Sequence, residues 1–145
     1  GLDTVLAPVS GGGLLSGTAI AAQSLKPGVR VFGAEPEQAR DAHDSLKSGQ
    51  RITGRIADTI CDGLRAELGP LTFGILRERL DDILLASEAE IIAAMRLIWE
   101  RLKIVIEPSC AVPLAVILKN PSLFAGREVG VILSGGNVDL DALPW

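Results

Sequence analysis

The sequence is poor in aromatic residues and in cysteine, and it has no tyrosine. Phe, Trp and Tyr together make up 3% of its 145 residues, and the formal net charge is −4. Proteins that stack nucleic-acid bases need aromatic platforms, and proteins that bind the phosphate backbone need clustered Lys and Arg. The composition therefore argues against a nucleic-acid-binding surface.

Long apolar runs are lacking as well. No stretch of about 18 apolar residues occurs, so no segment is predicted to span a membrane. The first residues do not combine a basic segment with an apolar one, so no signal peptide is expected. Cys61 and Cys110 have no basic neighbour, so they are interpreted as small packing residues rather than reactive thiols. They lie far apart and form no Cys-x-x-Cys motif, which favours reduced thiols. We therefore expect a cytoplasmic protein.

Apolar residues, in contrast, are abundant and make up 48% of the chain. A chain of this length fits one domain with a substantial core. Because soluble monomers rarely expose large apolar patches, part of this surface is expected to be covered. The cover is either a second copy in a homodimer or a further domain.

Apolar stretches typical of buried strands alternate with segments of helical spacing. The predicted strands are residues 4–9, 29–34, 82–86 and 128–133, and the predicted helices are residues 14–25, 37–48, 71–80, 88–103 and 111–119. This alternation predicts an α/β fold, with an open, mostly parallel sheet and helices on both faces. Residues 49–69 are predicted to form a long loop of the kind that often carries function.

The strongest helix-start signal is a capping box in which Ser87 is followed three residues later by Glu90. Apolar side chains then recur along one stripe of the predicted helix at Ile91, Met95, Ile98 and Leu102.

The clearest chemical motif is Ser10-Gly11-Gly12-Gly13-Leu14, which stands between a predicted strand and a predicted helix. Glycine lacks the β-carbon that would hold an anion away from the backbone, so successive N–H groups can converge on a phosphate at the helix start. Ser10 can add a hydroxyl donor, and Ser16 is a candidate helix cap. The patterns GxxxxGK[ST] and GxGxxG are not matched. The alternative is a tight turn that binds no ligand.

A second glycine motif, Ser134-Gly135-Gly136-Asn137, follows the last predicted strand. Parallel strands end at the same edge of a sheet, where α/β proteins bind ligands. The two motifs together predict one ligand that carries a phosphate and uses a second polar anchor.

Five segments in this order give the sequence a specific resemblance: PVSGGGLLSG, GAEPEQARDA, DTICDGL, VIEPSCAVPLA and LSGGNVDL. The chain resembles the C-terminal half of the serine racemase and threonine (serine) dehydratase family, which are fold type II enzymes that depend on pyridoxal 5′-phosphate (PLP). The resemblance implies a lyase (a dehydratase or ammonia-lyase) or a racemase that acts on a small hydroxy amino acid. Serine, threonine and hydroxyaspartate all stay open as substrates, as does the choice between elimination and racemisation.

For the cofactor phosphate, the resemblance implies a cradle of backbone N–H groups. These would come from Ser10, Gly11, Gly12, Gly13 and Leu14. The family usually begins this loop with glycine where this chain has Ser10.

For the cofactor ring, the resemblance implies that Ser134 hydrogen-bonds the pyridine nitrogen. A neutral hydroxyl does not keep that nitrogen protonated, so the ring is a weaker electron sink, which suits β-elimination because a leaving group takes up the electrons. Glu107 and the loop at Asp62 and Gly63 are expected to lie beside the cofactor or the substrate. Cys110 stands where the family usually has Gly or Ala.

A divalent cation is implied as well. In the racemase-like members the ligands are a Glu, a backbone carbonyl and an Asp, and the matching positions are Glu35, Ala39 and Asp41. Oxygen ligands of this type suit Mg²⁺ or Ca²⁺. The alternative is that these are ordinary carboxylates at the start of a helix.

The lysine that PLP enzymes need for a Schiff base is not identified in this chain. The chain has four lysines: Lys26 precedes a Pro-Gly turn, and Lys47, Lys103 and Lys119 lie at the ends of predicted helices, where a lysine favours the negative end of the helix dipole and water. No catalytic residue is therefore assigned, and the chain alone is predicted to bind PLP weakly and to turn over negligibly. The alternative to an enzyme portion is a non-catalytic binding or dimerisation module derived from the same fold.

Overall fold

A parallel four-stranded β-sheet forms the centre of the computed structural model, which describes residues 1–145. The strands are β1 (Thr4–Pro8), β2 (Arg30–Pro36), β3 (Asp82–Ala86) and β4 (Val129–Val131). The helices are α1 (Gly13–Leu25), α2 (Asp41–Ser48), α3 (Pro70–Arg79), α4 (Glu88–Leu102), α5 (Pro108–Lys119) and α6 (Pro121–Phe124), with 3₁₀ turns at Glu37–Ala39 and Asp62–Leu64. None of these helices combines the length and the apolar character that crossing a membrane requires. The predicted α/β fold with an open parallel sheet is confirmed.

Helices cover both faces of the sheet because side chains alternate between the faces along each strand. In β1, Val5 and Ala7 join a core cluster with Leu15 of α1 and Leu76 of α3. Leu6, between them, belongs to a larger cluster with side chains of α4, α5 and α6. The strand β1 is thus buried on both sides, and its carboxyl end is held in a fixed position.

The strand order β3-β2-β1-β4 creates a switch point beside β1. The chain first builds outward from β1 through β2 and β3, and then returns to the other side of β1 with β4. Leu6 is in register with Val131, and the Ile132 N–H donates to the Leu6 carbonyl (3.0 Å). The loops that follow β1 and β4 therefore leave the sheet side by side, and α/β sheets bind ligands in the crevice at such a point.

The predicted helix over residues 37–48 is interrupted, so that α2 begins only at Asp41. Glu35, near the end of β2, explains the break. Its carboxylate accepts hydrogen bonds from the backbone N–H groups of Ala42 (3.3 Å) and His43 (2.8 Å) in the first turn of α2. The prediction of one continuous helix was wrong because the acceptor for these N–H groups comes from a strand.

Other elements differ from the predictions as well, most of them by one or two residues. Helix α5 begins at Pro108 rather than at residue 111, because proline suits the first helical turn, where an N–H would have no acceptor. The short helix α6 was missed because Pro121 was interpreted as part of a gap between elements. Strand β4 is shorter than the predicted residues 128–133.

The capping box at the start of α4 is confirmed. The Ser87 hydroxyl accepts from the Glu90 N–H (3.3 Å), and the Glu90 carboxylate accepts from the Ser87 N–H (2.8 Å). Three residues of the apolar stripe, Ile91, Met95 and Ile98, are buried in the larger core cluster, as the periodicity predicts. The fourth, Leu102 at the end of α4, is 58% exposed, so the buried stripe stops one turn before the helix ends. The buried part of the stripe packs α4 mainly against α5.

Both cysteines are buried in the larger core cluster and neither forms a disulfide. Burial raises the pKa of the Cys61 thiol to about 12. Because the thiolate is the reactive form, Cys61 is a poor nucleophile in this environment. Its position agrees with the interpretation of Cys61 as a packing residue.

Candidate cofactor site

A pocket of about 160 Å³ opens at the switch point between β1 and β4. The lining residues come from the loop before α1, from the 3₁₀ turn Asp62–Leu64, from the start of α5 and from the segment after β4. They are Pro8, Val9, Ser10, Gly11, Gly12, Gly13, Leu14, Gly63, Leu64, Glu107, Ser109 and Ser134. The set contains the five residues of the proposed phosphate cradle together with Ser134, Glu107 and Gly63, so the fold brings these positions together.

The backbone N–H groups of residues 10–14 have no acceptor in the chain. Those of residues 10–12 donate to no protein atom. Gly13 and Leu14 open α1, and no residue one turn earlier accepts from their N–H groups. Unpaired N–H groups at the positive end of a helix form a ready-made binding site for an anion.

The carbonyl groups of the same loop are engaged by the protein. The Gly12 carbonyl accepts from the Ser16 N–H inside α1 (2.9 Å). The Gly11 carbonyl accepts from the hydroxyl of Thr72 in α3 (2.7 Å). Gly12 has a φ of 85°, which glycine adopts readily, and a β-carbon there would lie 2.8 Å from Thr72. The loop is thus packed closely on α3, and this approach requires glycine at position 12.

The hydroxyl groups of Ser10 and Ser16 do not take the roles that the sequence predicted for them, a donor to the ligand and a helix cap. Ser16 was a candidate helix cap, but the cap residue is Gly12, and the buried Ser16 hydroxyl has no hydrogen-bond partner. The Ser10 hydroxyl donates to the Ala66 carbonyl (3.4 Å) and accepts from the Ala66 N–H (3.3 Å). It therefore ties the loop to the long segment before α3.

Glu107 and Gly63 form a second wall of the pocket. The Gly63 N–H donates to the Ser109 hydroxyl (3.2 Å), and a β-carbon at Gly63 would lie 2.9 Å from that oxygen. The Glu107 carboxylate accepts from the Asn137 N–H (3.0 Å), and the Glu107 N–H donates to the Gly135 carbonyl (3.2 Å). Glu107 therefore holds the second glycine motif against the start of α5.

Ser134 lies in the same pocket as the first glycine motif, as the parallel sheet predicts. Its hydroxyl is 3.6 Å from the Cys110 sulfur. Cys110 thus contacts a proposed cofactor residue in addition to filling the core. Its role as a packing residue alone, which the sequence suggested, is incomplete.

The pocket has little charge of its own. Glu107 is the only lining residue with an ionisable side chain, so an anion would be held by backbone N–H groups and the helix dipole. The lysines lie elsewhere: Lys26, Lys47 and Lys119 pair with carboxylates, and Lys103 ends α4. None of them lines the pocket.

The predicted metal ligands lie outside this pocket, at the end of β2 and the start of α2. Glu35 is 2% exposed, and burial raises its pKa to about 8. Its carboxylate accepts hydrogen bonds from N–H groups in the first turn of α2. Asp41 Oδ2 is buried without a hydrogen-bond partner, and burial raises the pKa of Asp41. No cluster of three or more His, Cys, Asp or Glu side chains is arranged to hold a metal ion. The cation therefore stays a prediction.

Sequence reasoning missed two residues of this region. Ser109 lines the pocket, and its signal was its place directly after Pro108 at the start of α5. Thr72 reaches the glycine loop from 61 residues away, and nothing in the local pattern points to that contact. Long-range contacts of this kind become visible only in the folded chain.

Known proteins of similar sequence and fold identify the family of the chain. The family model described as "Pyridoxal-phosphate dependent enzyme" matches residues 1–135. The beta-hydroxyaspartate dehydratase of Paracoccus denitrificans is 54% identical over 145 residues, which are 100% of this chain and 46% of that protein. The serine racemase of Arabidopsis thaliana is 47% identical over 147 residues, which cover 98% of this chain and 44% of that protein.

Solved structures agree with the sequence comparison. The serine racemase from Dictyostelium discoideum superimposes with a TM-score of 0.89 at 51% identity, covering 97% of this chain and 45% of that one. The maize serine racemase gives a TM-score of 0.91 at 42% identity, covering 96% of this chain and 44% of that one. The chain thus spans about half the length of the relatives it matches, and the resemblance that the sequence motifs indicated is confirmed. On this basis the chain belongs to the pyridoxal-phosphate-dependent enzyme family.

Proposed function

We propose that this chain is the cofactor-binding portion of a PLP-dependent dehydratase, ammonia-lyase or racemase that acts on a small hydroxy amino acid. The observation that carries the proposal is the row of unpaired N–H groups over residues 10–14, which share a pocket with Ser134. The relatives include proteins named beta-hydroxyaspartate dehydratase and serine racemase, and the amino acids in both names carry a hydroxyl group.

Different residues of the chain would bind the phosphate and the ring of the cofactor. Residues 10–14 would bind the phosphate through their N–H groups, because a phosphate dianion needs several donors and no lysine or arginine lines the pocket. Ser134 would donate a hydrogen bond to the ring nitrogen without protonating it. When bound, PLP supplies the electron sink for bond breaking at the substrate α-carbon. Gly63 lies so close to Ser109 that a β-carbon there would be 2.9 Å from the hydroxyl oxygen, so this wall of the pocket needs glycine.

Catalysis with PLP also requires a lysine, and no lysine of this chain lines the pocket. The chain spans 46% of the dehydratase and 44% of the racemase it matches. We propose that a further part of the protein supplies the lysine and covers the pocket, whose volume of about 160 Å³ is small for a complete ligand site. The chain by itself would then be inactive.

Exposed apolar side chains support a partner for this chain. Leu71 of α3 is 76% exposed and Leu25 of α1 is 86% exposed. Apolar surface of this kind is covered either by the rest of the protein or by a second copy in a homodimer. A non-catalytic dimerisation module with the same fold is the second candidate function, since the same exposed residues would serve it.

The test of the proposed function compares the protein as its gene encodes it with the 145-residue chain. We expect the encoded protein to bind PLP covalently through a lysine, which is visible as absorbance of the bound cofactor, and to convert L-serine, L-threonine or 3-hydroxyaspartate. Formation of a keto acid and ammonia would indicate elimination, and formation of the D-amino acid would indicate racemisation. The chain alone should give neither covalent PLP nor product. An encoded protein that neither binds PLP nor converts any of these amino acids would favour the dimerisation module.

The glycine loop can be tested by Gly12→Ala. The left-handed φ of Gly12 and the 2.8 Å approach to Thr72 leave no room for a methyl group. We expect the affinity for PLP to fall by roughly tenfold or more and the free energy of unfolding to fall by about 1–2 kcal/mol. PLP titration and denaturant unfolding measure the two effects.

Gly17→Ala is the matched control, because Gly17 lies in α1 and a β-carbon there meets nothing within 4 Å. That variant should bind PLP as the unaltered protein does and be more stable by about 0.5–1 kcal/mol. Unchanged PLP affinity in Gly12→Ala would contradict a role of this loop in binding the phosphate.

A divalent cation at Glu35, Ala39 and Asp41 is a second part of the proposal. The lone buried oxygen of Asp41 supports it, because a cation would satisfy an atom that otherwise has no partner. The cation would also offset the burial that raises the pKa of Glu35. The hydrogen bonds that Glu35 already accepts from α2 support the alternative, in which it acts only at the helix start.

The cation is tested by thermal unfolding of the encoded protein with and without Mg²⁺ or Ca²⁺. We expect the midpoint to rise with the cation, because binding to the folded state stabilises it by mass action. Asp41→Asn should abolish most of the rise. Asp141→Asn, at an exposed position near the end of the chain, should leave it intact. A midpoint that does not respond to either cation in the unaltered protein would exclude the site.

A further inference from the structure

The carbonyl group of Gly11 decides how the glycine loop presents its N–H groups. We propose that Thr72 is a positioning residue that fixes the Gly11–Gly12 peptide with its N–H toward the cofactor phosphate. The proposal rests on the proposed function, in which residues 10–14 bind that phosphate.

The geometry of one peptide group carries the argument. The chain has no cis peptide bond, so the Gly11 carbonyl and the Gly12 N–H, which share a peptide, point in opposite directions. The carbonyl points to the Thr72 hydroxyl at 2.7 Å. Thr72 does not line the pocket, whereas Gly11 and Gly12 do. The hydrogen bond to Thr72 therefore orients the Gly12 N–H away from α3 and leaves it free for a ligand.

Thr72 is the strongest partner of this carbonyl. The Gly69 N–H also approaches it, but only at 3.5 Å. The Thr72 hydroxyl lies 3.1 Å from the Gly69 carbonyl as well, yet it has one hydrogen, and the shorter contact is to Gly11. Without the hydroxyl, the Gly11 carbonyl would keep only the long contact.

The loop needs such an anchor because of its sequence. Glycine populates positive and negative φ about equally, so consecutive glycines allow a peptide group to rotate at little cost. Rotation of the Gly11–Gly12 peptide would turn a carbonyl oxygen toward the phosphate and replace attraction by repulsion. The neighbouring peptide has its own anchor, because the Gly12 carbonyl is held by the Ser16 N–H in α1 (2.9 Å). Gly11 depends on a side chain from another helix.

The test measures the affinity of the encoded protein for PLP and for pyridoxal, which lacks the phosphate. Thr72→Val keeps the shape and removes the hydroxyl, and we expect it to weaken PLP binding by about tenfold. Pyridoxal affinity should change by less than about twofold, because no phosphate is involved. Thr72→Ser restores the hydroxyl and should recover PLP affinity. General damage to the fold would weaken both ligands alike.

Thr18→Val is the matched control, since Thr18 also donates its hydroxyl to a backbone carbonyl, that of Leu14 (2.8 Å). That carbonyl shares its peptide with the Leu15 N–H, which is not among the N–H groups proposed to bind the phosphate. It should not change the ratio of the two affinities. If Thr72→Val does not fold, Thr72→Ala takes its place, since it removes the same hydroxyl together with the methyl group. An unchanged ratio of PLP to pyridoxal affinity in the Thr72 variants overturns the positioning role. If the unaltered protein binds neither ligand, the proposed function itself fails.

Discussion

The orientation of the peptide groups between β1 and α1 is the constraint on which the site depends. The Gly11 and Gly12 carbonyls accept hydrogen bonds from Thr72 and Ser16, and the N–H groups of residues 10–14 are left without acceptors. Ser10 and Gly11 are half-buried and Gly12 is buried, and an N–H group without a partner in such a position costs free energy, whereas Gly13 and Leu14 are exposed to water. A phosphate would remove that cost and gain several charge-assisted hydrogen bonds at once.

The sheet places this loop and Ser134 together because both follow adjacent parallel strands. This much could be predicted from the sequence, since the alternation of strands and helices and the two glycine motifs are local patterns. The capping box at Ser87 was predictable for the same reason. The break before α2 was not, because Glu35 supplies the acceptor for its first turn from the end of a strand.

The candidate site, like the fold, could be predicted from the sequence only in part. The family resemblance grouped residues 10–14 with Ser134, Glu107 and Gly63, and the fold brings all of them to one pocket. It did not indicate that Glu107 holds the Asn137 N–H, that Cys110 lies against Ser134, or that Thr72 reaches Gly11. All three contacts join segments distant in sequence, so they follow from packing rather than from spacing along the chain.

The most direct measurement of the central claim is the ¹H–¹⁵N spectrum of the encoded protein labelled with ¹⁵N-glycine and titrated with PLP and with inorganic phosphate. The N–H signals of Gly11, Gly12 and Gly13 should shift with both ligands, because both carry the phosphate. Gly28 and Gly126, in turns where an added β-carbon would meet no other atom, should not shift. PLP binding that leaves the signals of Gly11, Gly12 and Gly13 unmoved would contradict the account.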